Sequence, residues 1–192
     1  MCIRDRSNPE TEKLYLYDGN QVIFITQQDI NNSTASPYLG GVVYAANDSI
    51  FYWDNGNIKV LSTTSASFEI EGCKLAWFAG FGQNAQLHFY DGVEHDSILF
   101  QGYPEPDNLN FIGDTSYIFS FSALDNSKRY IVTGNHDLVS CLKKDPTLKA
   151  TITDTVYEST NEIVWLSTSN EHFGWFEWTP NGQHLYLSLI HI

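Results

Sequence analysis

Hydrophobic positions along this chain fall in short runs separated by turn residues. Helical spacing is nearly absent, and residues 137–144 are the one short stretch that reads as a helix. One run recurs: Leu14-Tyr-Leu-Tyr-Asp-Gly19 returns as Ile50-Phe-Tyr-Trp-Asp-Asn-Gly56, as Leu87-His-Phe-Tyr-Asp-Gly92, and more loosely as Phe119-Ser-Phe-Ser-Ala-Leu-Asp125-Asn126. The aspartates Asp18, Asp54, Asp91 and Asp125 stand 36, 37 and 34 residues apart. A second apolar run follows each turn, at 22–26, 58–62, 98–100 and 130–133. Each unit therefore predicts a β-hairpin. Gly19, Gly56 and Gly92 supply the positive φ that tight hairpin turns need, because glycine lacks the clashing Cβ. The turn aspartates accept backbone hydrogen bonds. The flanking aromatic and β-branched residues suit a pleated, half-buried surface.

A further strand is expected before each hairpin, at Gly41–Ala46, Cys73–Ala79 and, more weakly, Phe111-Ile112. A fourth is expected near Ser36–Leu39 or Phe68–Ile70, which makes a four-stranded unit. Repeated units of this kind are what a β-propeller stacks as radial blades, and a single blade cannot bury its own faces. A β-sandwich is the alternative; it gives short, evenly spaced strands but not the same turn residues at one interval. The expectation is an all-β chain, a partial β-propeller of about four to five four-stranded blades.

The Leu/Ile-Tyr/Phe-Leu-Tyr-Asp-Gly run, the strand ending in Thr and the Gly-Val-Val-Tyr run together resemble bacterial secreted propeller repeats of the TolB type, over residues 14 to about 133. The resemblance implies a binding or scaffold module outside the cytoplasm. The fourth copy departs from it, with Ser120 and Ser122 where aromatics are expected and no glycine after Asp125-Asn126. From residue 134 to 187 the spacing breaks, and strands are expected at 150–157, 162–166, 173–178 and 184–187. Residues 163–178 faintly resemble blades of the N-terminal propeller of prolyl-oligopeptidase-type peptidases. That implies the alternative function: the propeller of a larger hydrolase, peptidase or glycosidase, whose catalytic domain lies elsewhere.

The ends read differently from the rest. Residues 1–6 and 188–192 resemble translated sequencing adapter from metagenomic assemblies, which leaves 7–187 as the expected native stretch, an incomplete propeller. An incomplete set of blades would expose sheet faces and edges, and so invite poor solubility or dimerisation. The chain of 192 residues is 42% hydrophobic and 15% aromatic, enough to build a core. Its formal charge is −13, and residues 7–187 alone carry −14. Such a balance disfavours a nucleic-acid backbone, which needs clustered Lys and Arg. No apolar run is long enough to insert in a membrane as a helix.

Catalytic motifs are missing: no Gly-x-Ser-x-Gly, no His-Glu-x-x-His and no phosphate loop. Gly80-Phe-Gly82 reads as a hairpin loop. The six histidines show no cluster, and His95-Asp96 and His136-Asp137 read as solvated loop pairs. Glu171, Glu177, Asp114 and Asp125 offer carboxylates, but no spacing fixes a catalytic pair. Calcium is the one cofactor left open, because Glu105-Pro-Asp-Asn-Leu-Asn110 and Gly113-Asp114 read as oxygen-rich loops. Cys73 and Cys141 form one disulfide or remain small buried hydrophobes. Trp165, Trp175 and Trp178 are the candidate ligand platforms, flat surfaces that stack on sugars or peptide side chains. The functional expectation is a non-enzymatic, periplasmic or secreted module that recognises protein or carbohydrate.

Overall fold

The computed structural model describes residues 2–5, 13–26, 35–65, 67–92, 95–112, 116–135, 151–159, 162–169, 172–179 and 182–188, with side-chain environments between 13 and 135. Every element among them is a β-strand, and no helix occurs. The expected helix at 137–144 lies outside the described residues. The chain divides into two compact units, Met1–Cys73 and Lys74–Ile192.

The first unit holds two antiparallel sheets in chain order. One is β1 (Cys2–Asp5), β2 (Lys13–Tyr17) and β3 (Val22–Thr26); the other is β4 (Ala35–Tyr38), β5 (Gly41–Ala46), β6 (Ser49–Asp54) and β7 (Asn57–Ser62). The adapter-like segment thus forms an edge strand, with Cys2 opposite Leu16 and Asp5 opposite Lys13. A short β8 (Glu69–Glu71) ends the unit. Alternate positions of β2 and β5 enter one core: Leu14, Leu16, Val42, Tyr44 and Ala46, joined by Ile25 and Trp53. The other face of β5 is buried as well, and all six of its residues are inaccessible to solvent.

The second unit contains β9 (Lys74–Ala79), β10 (Gly82–Tyr90), β11 (His95–Ile112), β12 (Ser116–Ser122), β13 (Arg129–Asn135) and β14 (Thr151–Ser159), each hydrogen-bonded to the next in antiparallel order. A separate antiparallel sheet follows, β15 (Glu162–Ser169), β16 (His172–Thr179) and β17 (Gly182–Ser188). Strand β11, at 18 residues, changes partner along its length. Its first part pairs with β10 as far as Gly102, and its second part pairs with β12 from Tyr103 onward. Corner strands of this kind let one sheet fold over to enclose a core. The core they enclose is aromatic, with Phe78, Phe89, Phe100, Phe111, Tyr117 and Phe119 buried together.

Two of the four turn aspartates, Asp18 and Asp125, cap their hairpins through the backbone. Asp18 Oδ1 accepts hydrogen bonds from the backbone N–H groups of Asn20 (2.8 Å) and Gln21 (2.9 Å). Asp125 Oδ1 accepts from the N–H of Ser127 at 3.0 Å and from its hydroxyl at 2.6 Å. These bonds hold both carboxyls below the usual aspartate range. At Asn55-Gly56 both φ angles are positive, +46° and +87°, the mirror-image turn that matches strand twist.

One sequence expectation needs correction. The segment Glu105–Asn110 is not a loop; it lies inside β11, where the register with β12 shifts between Pro104 and Leu109. Proline cannot donate to the ladder, and the irregularity next to Pro104 lets the strand continue past it. Ser120 and Ser122 stand where the first copy carries Tyr15 and Tyr17. They alternate onto the face of β12 opposite Tyr117 and Phe119, and both are buried there.

Candidate functional site

Strand β10 sends Leu87 and Phe89 into the aromatic core, so alternation places His88 and Tyr90 on its other face. The hairpin register sets Tyr90 opposite His95 and His88 opposite Ser97. His88 and His95 are therefore diagonal neighbours on one face, within reach of each other across the two strands. Their ring nitrogens meet, His88 Nδ1 lying 2.7 Å from His95 Nε2, so one ring donates to the other. Across from His88 on β9 stands Trp77. The indole stacks on both imidazoles, with centroids 5.3 Å from His88 and 5.4 Å from His95 at interplanar angles of 6° and 10°. Trp77 is buried, and its Nε1 has no hydrogen-bond partner; His95 is exposed, and His88 is intermediate. Burial, reinforced by the charge of His95, pushes the His88 pKa down to about 4.

The expectation that the histidines stand apart is thus corrected for this pair. His95-Asp96 opens a strand rather than occupying a loop. The pairing was missed because it depends on the register across residues 91–94. A histidine inside an alternating strand, seven residues before another across an Asp-Gly turn, is the signal that could have revealed it. His136-Asp137 lies outside the described residues.

A second polar grouping lies where β11 meets β12. Asn108 Nδ2 donates to Ser120 Oγ at 3.0 Å, both residues being buried. Ser122 Oγ donates to Glu105 Oε1 at 3.0 Å, and Arg129 Nε stands 4.0 Å from the same oxygen. These bonds satisfy polar atoms on the second buried face of β12, which is a structural task. Of the segment nominated for calcium, Glu105 and Asn108 take part in this grouping, and the side chain of Asp107 lies outside the described residues. Asp114 lies outside the described residues, and no group of three or more His, Cys, Asp or Glu suited to a metal ion occurs among the described ones.

The proposed aromatic platform is placed only by register. Trp165 pairs with Phe176, Trp175 with Leu166 and Trp178 with Glu162, on neighbouring strands β15 and β16. Their side chains lie outside the described residues, as do those of Glu171 and Glu177. Cys73 is disulfide-bonded, so it is not a free buried thiol. Among the described residues, no helix is long and apolar enough to cross a membrane.

The geometry defines an all-β chain with a stacked imidazole pair on one hairpin and hydrogen-bonded polar residues buried on another. No protein-family model, curated protein or solved structure matches it.

Proposed function

We propose that this chain is a non-catalytic binding or scaffold module of an extracytoplasmic β-propeller type, recognising protein or carbohydrate. The observation that carries the reading is burial on both faces of central strands. In β5 no residue is exposed, and in β9 Lys74 to Phe78 are all buried, as are Tyr117 to Ser120 in β12. A two-layer sandwich leaves alternate positions of its strands in water. Stacked sheets, each with a neighbour on both sides, do not. The four-stranded antiparallel set β4–β7, with its Asp-Asn-Gly hairpin, has the form of one blade.

The disulfide at Cys73 supports a compartment outside the reducing cytoplasm. The tryptophan-bearing strands β15 and β16 remain the proposed binding element. Glycan and peptide arrays probed with the chain test the function. Binding that is lost in Trp165→Ala or Trp175→Ala supports it, and silence on both arrays refutes it. A crystal structure tests the fold: sheets paired in two layers with hydrated outer faces would overturn the blade reading.

A further inference from the structure

We propose that His88 and His95 form a two-imidazole binding site for a divalent transition cation, copper(II), nickel(II) or zinc(II), on the β10–β11 hairpin. The site goes beyond the binding module proposed above and does not depend on it. Imidazole is the side chain best matched to these cations, and a neutral ring offers one lone pair to the metal. Two donors must converge on one point, and the hairpin already brings them together: Nδ1 of His88 and Nε2 of His95 lie 2.7 Å apart. Two nitrogens bound at about 2.05 Å to one metal stand about 2.9 Å apart at a right angle and about 3.3 Å apart in a tetrahedron. The nitrogens need to separate by only about 0.2–0.6 Å, and each ring must also swing so that its nitrogen, now aimed at its partner, points to the metal about 35–45° off the line between them.

Three further features fit. The two strands hold the histidines at fixed register, so little rotamer freedom remains to be lost on binding. Trp77 lies flat against both rings and limits their tilt. On the outer side the hairpin is open, since His95 and Ser97 are both exposed, leaving room for water to complete the coordination shell. Binding requires one rearrangement of protons. The ring that now donates across the pair keeps its N–H on the opposite nitrogen instead, so two neutral rings bind the cation without releasing a proton.

The test is titration of the full 192-residue chain with CuCl2 or ZnCl2, followed by calorimetry and, for copper, by electron paramagnetic resonance. One cation per chain with two nitrogen ligands is expected, together with quenching of Trp77 fluorescence by copper. Each of His88→Gln and His95→Gln weakens binding by more than about tenfold, the least that loss of a ligand should cost if a supporting residue alone can cost that much. His184→Gln leaves it unchanged. His95 is exposed, so His95→Gln keeps the fold, checked by circular dichroism, even if the half-buried His88 variant does not. In the wild-type chain, zinc should move the 15N resonances of His88 Nδ1 and His95 Nε2. Binding that persists in folded His95→Gln, or zinc shifts confined to other histidines, overturns the proposal.

Discussion

Phe119 sits at the centre of the aromatic core of the second unit, with no solvent exposure. Its ring lies 5.1 Å from Phe100, 5.4 Å from Phe78 and 5.9 Å from Phe121, in tilted arrangements that aromatic pairs favour. Phe119→Ala removes these contacts and leaves a cavity between strands that pair on both sides and so cannot close over it. Core Phe→Ala changes cost about 3–5 kcal/mol, and the many lost ring contacts put this one near the middle, about 4 kcal/mol. With a urea dependence of about 2 kcal/mol per molar, the unfolding midpoint should fall by about 2 M. Phe24 is the control: it is half exposed on the edge strand β3 and makes one edge-on contact with Tyr15 at 5.6 Å. Phe24→Ala should cost about 1 kcal/mol or less. Urea titrations of both variants, followed by near-ultraviolet circular dichroism, decide the matter. Equal midpoints for Phe119→Ala and Phe24→Ala would refute the placement of the core between the two parts of β11.

Gly41 opens β5 so close to β6 that an added Cβ would overlap the Trp53 carbonyl oxygen and sit 2.9 Å from Tyr52 Cε2. Gly41→Ala should destabilise by about 2 kcal/mol or more in the same assay, and a neutral result would place β5 and β6 further apart. His88 in the metal-free chain should titrate near pH 4 by NMR, against about 6.5 for an unperturbed histidine. Unfolded His88 takes its proton first, so the stability carried by the neutral ring is present above pH 6.5 and is lost as the pH falls from 6.5 to about 4. A His88 titration at 6.5 would remove the burial argument. For Cys73, thiol titration of the unreduced, denatured chain should find one free thiol among three cysteines, and Cys73→Ser should cost about 2–5 kcal/mol; three free thiols would contradict the disulfide.

Much of the strand content was legible because turn chemistry is local. Asp54-Asn55-Gly56 specifies a hairpin whatever surrounds it, and Gly41–Ala46 reads as a buried strand from its unbroken apolar run. The histidine pair was not legible, because facing depends on register. One residue more or fewer between Tyr90 and His95 would have turned the second histidine to the core. The buried bond between Asn108 and Ser120 was hidden for a similar reason. Pro104 and Pro106 made 105–110 read as a loop, while long-range pairing with β12 drew the segment into a strand.

Equal spacing also proved to be a weaker guide than it looked. Between Asp18 and Asp54 the chain runs through β3, β4, β5 and β6, and between Asp54 and Asp91 through β7, β8, β9 and β10. Four strands fill each interval. Between Asp91 and Asp125 only β11 and β12 intervene, because β11 is long enough to serve two partners in succession. An interval of 34 residues therefore spans half the usual number of strands, and the fourth turn is out of step with the first three. The same turn recurs up to Asp91, yet the sheets that hold the first three hairpins have three, four and seven strands. The proposed blade architecture rests on burial instead, since a strand such as β12 with no exposed residue from Tyr117 to Ser120 needs cover on both faces.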